Sequence, residues 1–293
     1  TKGGLVWFKN RNSTNNHALY DTARGATNRL STSQTGGTGA QVTDPTSLTA
    51  FNSNGFSIGS DNSQNENTFT FASWTFRKQP KFFDVVTYTG TGVARTVAHN
   101  LGSVPGCIIV KRTDTAGFDW LVYHRSTGNT NRLLLNDTVP AASGTSFWND
   151  TTPTSTVFTV GTNVNGNASG GTYVAYLFAH DAGGFGLSGS DNVISCGTGT
   201  WNGSGVSSVT LGYEPQWVVL KSTTSANGWW MADNMRGMPA TNDGQQLNAE
   251  GNYAESTSSL VARPTATGFT TGNGAASNTY IYIAIRRGPM KVP

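Results

Sequence analysis

The stretch Cys107-Ile108-Ile109-Val110-Lys111 is a run of apolar residues closed by a lysine, and two similar stretches occur in the chain. They are Leu5-Val6-Trp7-Phe8-Lys9 and Trp217-Val218-Val219-Leu220-Lys221. A continuous apolar run is typical of a strand covered on both faces, so we predict that each pentad is the central strand of a sheet. We expect the lysine amine to reach water at the strand end. A Lys-acid pair is the alternative, since Asp21 and Asp233 align, although His124 takes that place in the second copy.

Other landmarks keep the same spacing of about a hundred residues, which indicates an internal repeat. The recurring residues are Gly25, Gly128 and Gly237, then Phe56, Phe158 and Phe269, then closing strands at 71–74, 173–176 and 282–285. Short strands separated by Gly, Asn and Pro are typical of antiparallel sandwiches. We therefore predict an all-β chain of three tandem antiparallel β-sandwich modules related by internal repeat, at residues 1–80, 81–182 and 183–293. The first module lacks the opening strands of the other two, and no methionine begins the chain, so we expect the natural start to lie ahead of Thr1.

The composition is that of a folded, weakly charged protein. Charged residues make up 12% of the chain, about half the usual ~25%, and the net charge is +3 with no basic run. This excludes an electrostatic footprint for nucleic acid or anionic lipid, and no apolar run approaches the ~18 residues of a membrane span. We expect no nucleic-acid partner and no membrane insertion. Cys107 and Cys196 are not at equivalent positions, which favours two free, buried thiols.

No arrangement of residues predicts catalysis or a metal. The four histidines, His17, His99, His124 and His180, occupy different places in the repeats and are expected at the surface or at strand ends. Asp61 and Asp191 stand in Gly-Ser-Asp-Asn turns that lack the rest of a calcium loop. We predict that the protein is not an enzyme and uses no metal or cofactor.

Aromatic residues in polar loops are the best candidates for recognition. Trp148 with Asp150, and Trp201 with Asn202, combine a flat ring with hydrogen-bonding groups, which suits sugar rings. Tryptophans also anchor loops onto a sandwich, and we favour that interpretation over sugar binding. Recognition is expected on the loops that differ between the modules, residues 31–45, 139–153 and 240–256. If Trp148 binds a sugar, Trp148→Ala should spare the fold.

Several stretches resemble one family of proteins. They are Tyr88-Thr89-Gly90, residues 95–106 leading into Ile108-Ile109-Val110-Lys111-Arg112, residues 5–11 with 19–25, and the closing residues 280–291. Together they resemble the repeated β modules of virion proteins of marine tailed phages, which are tail-fibre-like. The resemblance implies a structural phage protein at the virion surface, outside the cell, that takes part in host attachment. Its partners would be other virion proteins and a host cell-surface glycan.

Other assignments remain open at this point. A capsid-decorating or head-fibre protein would have the same chemistry at another place on the particle. A polysaccharide depolymerase would need two convergent carboxylates, and a bacterial secreted adhesin would need a secretion signal. Tail fibres are usually trimers, so a homotrimer is the first expectation and a monomeric string of modules is the alternative.

Overall fold

The structure, a computed structural model, describes residues 3–33, 39–239, 244–258, 261–272 and 274–288. Three stretches named in the sequence predictions lie outside these ranges. They are residues 34–38 and 240–243 of two predicted recognition loops, and residues 289–291 at the end of the closing motif. The chain is nearly all β with several antiparallel sheets, so the predicted fold class is confirmed at that level. Residues 1–80, 81–182 and 183–293 are called the first, second and third segments below.

The first segment contains a three-stranded sheet in the order β2-β1-β7. Its strands and its single-turn helix are β1 (Gly4–Asn10), β2 (Ala18–Asp21), β3 (Asn28–Arg29), β4 (Val42–Thr43), β5 (Leu48–Phe51), β6 (Phe56–Ile58), α1 (Asn62–Asn65) and β7 (Phe71–Arg77). β3 pairs with β4 and β5 with β6, and a bridge joins Leu19 in β2 to Leu30.

The second segment contains a six-stranded sheet in the order β13-β12-β11-β10-β15-β8 and a small sheet of β14 and β9. Its elements are β8 (Phe83–Thr89), β9 (Arg95–Ala98), β10 (Cys107–Arg112), β11 (Leu121–His124), β12 (Asn131–Leu134), β13 (Ala142–Ser143), α2 (Thr145–Trp148), β14 (Val157–Val160), α3 (Val164–Asn167) and β15 (Thr172–Phe178).

The third segment contains a six-stranded sheet in the order β16-β24-β18-β19-β20-β21 and a small sheet in the order β17-β23-β22. Its strands are β16 (Ile194–Thr200), β17 (Ser207–Thr210), β18 (Pro215–Ser222), β19 (Trp229–Asp233), β20 (Gly244–Asn248), β21 (Ser256–Ser258), β22 (Arg263–Thr265), β23 (Gly268–Thr271) and β24 (Thr279–Arg286). None of the described helices is long and apolar enough to cross a membrane.

Each lysine pentad is a central strand, as the sequence predicts. β1 lies between β2 and β7, β10 between β11 and β15, and β18 between β19 and β24. The two faces of these strands meet different cores. In β1, Val6 and Phe8 pack with Tyr20 in a core of the first segment, whereas Leu5 and Trp7 join a core that residues of all three segments share. Burial on both faces explains why the pentads are apolar throughout.

The lysine that ends each pentad is buried, so the prediction that its amine reaches water is wrong. The loop after the strand folds back over the amine and supplies a carbonyl oxygen as acceptor, and Lys221 also donates to a carbonyl of the second segment. These contacts are Lys9 Nζ to Asn10 O at 2.6 Å and Ser13 O at 3.0 Å, Lys111 Nζ to Phe118 O at 2.6 Å, and Lys221 Nζ to Asn227 O at 2.6 Å and Thr138 O at 2.8 Å. Burial lowers the pKa of each amine from 10.5 to about 8.

The alternative Lys-acid pair is also wrong. Asp21 instead pairs with Arg24, and Asp233 with Arg236, each through an arginine Nε at 2.6 Å. Both arginines are almost fully buried, so the acid neutralises a cation that has no access to water.

Three of the histidines do not lie at the surface. His17, His99 and His124 are buried, the last at the end of β11, and all three are hydrogen-bonded. Cys107 and Cys196 are free and buried, which confirms the prediction for the thiols.

Candidate functional site at the junction of the three segments

One hydrogen bond of the same kind crosses from each segment to another. The donor side chain lies four residues before the position that pairs with the first residue of each pentad. The bonds are His17 Nε2 to Asn248 O at 3.0 Å, Trp120 Nε1 to Ser31 O at 3.0 Å and Trp229 Nε1 to Leu134 O at 2.7 Å. They run from the first segment to the third, from the second to the first and from the third to the second. The three segments therefore form a closed ring.

A second set of contacts runs around the ring in the same direction. It joins the closing strand of one segment to the end of the strand after the lysine pentad in another. The contacts are Trp74 Nε1 to Asp233 Oδ2 at 3.0 Å, Tyr176 OH to Asp21 Oδ2 at 2.8 Å and His124 Nε2 to Tyr282 O at 3.2 Å.

A third set consists of backbone bonds to the residue two places after each lysine. They are Glu255 N to Arg11 O at 2.7 Å, Gln41 N to Thr113 O at 2.8 Å and Ala141 N to Thr223 O at 3.0 Å. Each interface thus carries bonds from several elements, which fixes the segments against one another.

The two histidines that bond across the segment interfaces, His17 and His124, are neutral in the folded protein. Trp7 Nε1 donates to His17 Nδ1 at 2.8 Å, so the proton of His17 is on Nε2, which donates to Asn248. The Ser126 backbone N–H donates to His124 Nδ1 at 3.2 Å, which fixes the same tautomer there. Burial lowers the pKa of both imidazoles to about 3.

A cavity of about 190 Å³ lies where the three segments meet. One residue from each segment contributes to its wall through a side-chain oxygen that accepts a backbone N–H. The bonds are His17 N to Ser33 Oγ at 2.7 Å, Trp120 N to Asn136 Oδ1 at 2.8 Å and Trp229 N to Glu250 Oε2 at 2.7 Å. Ser33, Asn136 and Glu250 accept the same kind of bond in their three segments and all line this cavity. The cavity therefore lies near the centre of the ring of segments.

The mouth of this junction cavity is formed by Asp137, Thr138, Asn252 and Tyr253. Tyr253 is 61% exposed. Its ring lies on Gly251, where an added Cβ would be 2.2 Å from ring atom Cε2, so only glycine permits this packing. One side of the ring is thereby supported by the backbone while much of the side chain remains open to solvent. An exposed ring beside carboxylate, amide and hydroxyl groups matches the C–H faces and hydroxyls of a saccharide.

Glu250 is a structural acceptor in this cavity. Burial raises the pKa of its carboxyl group, but both oxygens are engaged, Oε2 by Trp229 N and Oε1 by Asn248 Nδ2 at 3.0 Å. The described residues contain no cluster of His, Cys, Asp and Glu that could hold a metal ion. The cavity therefore offers hydrogen bonding and one aromatic surface.

Trp148, the first sequence-predicted site residue, does not present its ring to solvent. It is 2% exposed, donates Nε1 to Asn131 O at 3.0 Å, and packs edge to face on Tyr123. Asp150 is exposed, with a positive φ of 46°, and its backbone carbonyl accepts from Asn129 Nδ2 at 2.9 Å. The pair therefore forms no shared surface, and Trp148 has the position of a loop anchor.

Trp201 is likewise enclosed at 0% exposure. Its ring lies 4.3 Å from that of Tyr280 and so close to Gly274 that a Cβ there would overlap it. Asn202 is exposed, but its Oδ1 accepts the N–H groups of Ser204 and Val206 and shapes a turn. Neither Trp148 nor Trp201 therefore presents a ring on which a sugar could stack.

The sequence did not single out Tyr253, although it points to the region. Glu250 to Tyr253 lie in the predicted recognition loop 240–256, and Ser33 lies in the loop 31–45. Asn136, Asp137 and Thr138 directly precede the loop 139–153. The described parts of the loops therefore begin or end at one junction, which no spacing along the chain reveals.

Residues 1–289 match the sequence profile of a family described as Domain of unknown function (DUF7483). No curated protein matches the chain.

Proposed function

This chain belongs to the DUF7483 family, and we propose that it is a structural protein of a phage particle, a tail-fibre or surface component that takes part in host attachment. The observation that carries the proposal is the closed ring of three β segments, whose differing loops meet at one exposed junction. A rigid body that displays variable loops is suited to attachment. The motif resemblance to marine phage virion proteins supports the same assignment, at the virion surface and with other virion proteins as partners.

We also infer that the three segments are copies of one antiparallel β-sandwich module. The six-stranded sheets of the second and third segments have the same strand order, and β7, β1 and β2 match three adjacent strands of it. The small sheets match as well, since Phe158 in β14 and Phe269 in β23 pair with Val97 and Val209. The first cyclic set of hydrogen bonds uses corresponding donors, His17, Trp120 and Trp229.

The ligand proposed for the junction cavity is a host cell-surface glycan. Tyr253 would supply the stacking surface, and Asp137, Thr138 and Asn252 would supply hydrogen bonds to hydroxyl groups. This replaces Trp148 and Trp201 as the recognition residues, because their rings are buried.

Locating the chain on the particle tests the proposed role. Gold-labelled antibodies against the chain should mark the tail of purified particles in electron microscopy. Label on the head would favour the capsid-decorating alternative, and absence of the chain from the particle proteome would contradict both. The mass of the purified chain in solution distinguishes the expected homotrimer from a monomer that already contains three segments.

Binding of the purified chain to host cells tests the junction cavity. We expect Tyr253→Ala to weaken binding about tenfold, since losing one stacking contact costs about 1.4 kcal/mol, while the melting temperature stays unchanged. Leu187→Ala, at an exposed apolar residue that does not line the cavity, is the matched control. Equal binding by the wild type and Tyr253→Ala would remove the cavity from the proposal.

A polysaccharide depolymerase is the second candidate, because two carboxylates, Asp137 and Glu250, line the same cavity. Release of new reducing ends from host polysaccharide by the wild type, and its loss in Asp137→Asn, would replace the binding proposal by this one. The engaged oxygens of Glu250 favour binding.

A further inference from the structure

The strand β7 differs from its counterparts in having one open edge. β15 lies between β10 and β8, and β24 lies between β18 and β16, but among the described residues β7 pairs only with β1. β15 and β24 are buried along almost their whole length, whereas β7 alternates, with Ser73, Thr75 and Arg77 exposed. An open edge presents unpaired backbone N–H and C=O groups, which other strands readily join.

A cavity of about 450 Å³ lies beside this edge, on the face of β7 that meets the third segment. Trp74, Phe76, Trp217 and Ile285 line it, and Met235 stands at its rim with 90% exposure. In the second segment, β15 is the counterpart of β7, and β8 pairs with it. The β8 residues opposite the counterparts of Phe76 and Trp74 are Phe83 and Val85. In the third they are Ile194 and Cys196 of β16. All four are buried in the shared core, so the cavity occupies the place of two apolar side chains.

A second cavity, of about 630 Å³, lies on the other face of the same strand. Val6, Phe56, Thr75 and Arg77 are among its lining residues. Phe56 corresponds to Phe158 and Phe269, which pair with Val97 in β9 and Val209 in β17. β6, which holds Phe56, pairs only with β5 in the described part of the chain. This cavity therefore occupies the place of a second strand.

We propose that two consecutive strands complete the first segment, the first antiparallel on the open edge of β7 and the second against β6. Apolar residues at alternate positions of the first strand would fill the cavity beside Trp74 and Phe76. The consecutive strands β8 and β9, like β16 and β17, lie in two different sheets and precede the lysine strand in the chain, so the occupant is a segment of the same polypeptide N-terminal to β1. The proposal rests on the repeat correspondence and is independent of the virion role.

The strands β8 and β9 of the second segment serve as the probe. Residues 82–106 are fused directly ahead of Leu5, so that the copy of Gly106 takes the place of Gly4. We expect alternate backbone amides of β7 to exchange with deuterium at least tenfold more slowly than in the unextended chain. Trp74 should also become protected from iodide quenching. A second fusion, with proline in place of the copied Val86, is the control and should show neither change. The Val85 N–H points away from β15, to Asp84 Oδ1, so the N–H of the next residue faces the ladder and its loss to proline breaks the pairing.

A synthetic peptide of residues 82–98, added to the unextended chain, distinguishes the source of the strand. Protection of β7 in the fusion supports the proposal, whether or not the peptide also binds. Protection by the peptide alone would assign the edge to another chain and overturn it. Absence of protection in both arms would overturn it as well. Neither result changes the expected binding of Tyr253 variants to host cells, so the two proposals fail separately.

Discussion

Exchanging Trp7 and His17 together for the residues at the corresponding places in the third segment, Val219 and Trp229, should nearly preserve stability, although each single exchange destabilises the protein. The rings of Trp7 and His17 lie 5.7 Å apart, edge to face. The first segment thus combines a large residue in β1 with a smaller one before β2, and the third segment combines a small residue with a large one. In both, this residue at the start of the second strand, His17 or Trp229, donates the bond that crosses to the next segment.

The size of each single effect follows from burial. Trp7→Val removes a buried indole, which should cost about 3 to 5 kcal/mol. It also leaves His17 Nδ1 without the N–H that it accepts, which adds about 1 to 3 kcal/mol. His17→Trp inserts a larger ring beside Trp7 and should cost about 1 to 3 kcal/mol through overpacking. In the double variant the new indole fills the space of the old one, and its N–H reaches Asn248 O. We expect it to lie within about 2 kcal/mol of the wild type, so that the coupling energy is at least about 3 kcal/mol.

Urea unfolding of the four proteins at pH 7.5, followed by tryptophan fluorescence, gives this coupling energy directly. Trp120→Phe, which removes the corresponding bond from the second segment to the first, reports the cost of one such bond without repacking. Additive single effects, with a coupling energy below about 0.5 kcal/mol, would refute the correspondence between these positions.

Three further outcomes are expected. Lowering the pH from 7 to 5 should reduce the free energy of unfolding by about 2 kcal/mol for each of His17 and His124. Their pKa falls from 6.5 to about 3 on folding, so the unfolded chain takes up the protons first; urea unfolding at both pH values tests this, and His124→Gln should lose its share. Trp148→Ala should lower stability by about 3 to 5 kcal/mol, because its indole is buried; an unchanged melting curve would contradict the loop-anchor role. Lys221→Met should cost about 1 to 3 kcal/mol by leaving two carbonyls unpaired. The Lys221 pKa falls from 10.5 to about 8 on folding, so this group makes stability rise with pH over that window, and the slope should shrink in the variant.

The sequence was sufficient for the features that depend on local pattern. Apolar pentads without alternation predict strands buried on both faces, and β1, β10 and β18 are central strands for that reason. The fate of the lysines could not be predicted in the same way. A lysine at a strand end has the same pattern whether water or a folded-back loop receives its amine, and the loop residues that bond it, such as Ser13, Phe118 and Asn227, share no motif.

The candidate site shows the same limit. His17 differs in type from Trp120 and Trp229, and the three share only an imidazole or indole N–H that donates to a carbonyl of a neighbouring segment. The closed arrangement of the three segments is therefore evident only from the structure. A tryptophan in a polar loop is compatible with an exposed ring and with a loop anchor, and the turn at Trp148 directs its ring inward onto Tyr123. Tyr253 is exposed because Gly251 lets its ring lie on the backbone, a contact that composition does not indicate.

Closure of the ring also changes the effective concentration at which its surfaces meet. Two chain connections join three segments, so the contact between the first and third is made without a direct link, through Arg11 to Glu255 and through His17 to Asn248. Short tethers hold such surfaces at roughly millimolar effective concentration, at which an interface with a Kd of about 10 µM stays ~99% closed. A weak interface is thus sufficient within one molecule. If it opens, the same surfaces become complementary ends, and exchange between neighbouring molecules would convert closed rings into dimers or open filaments.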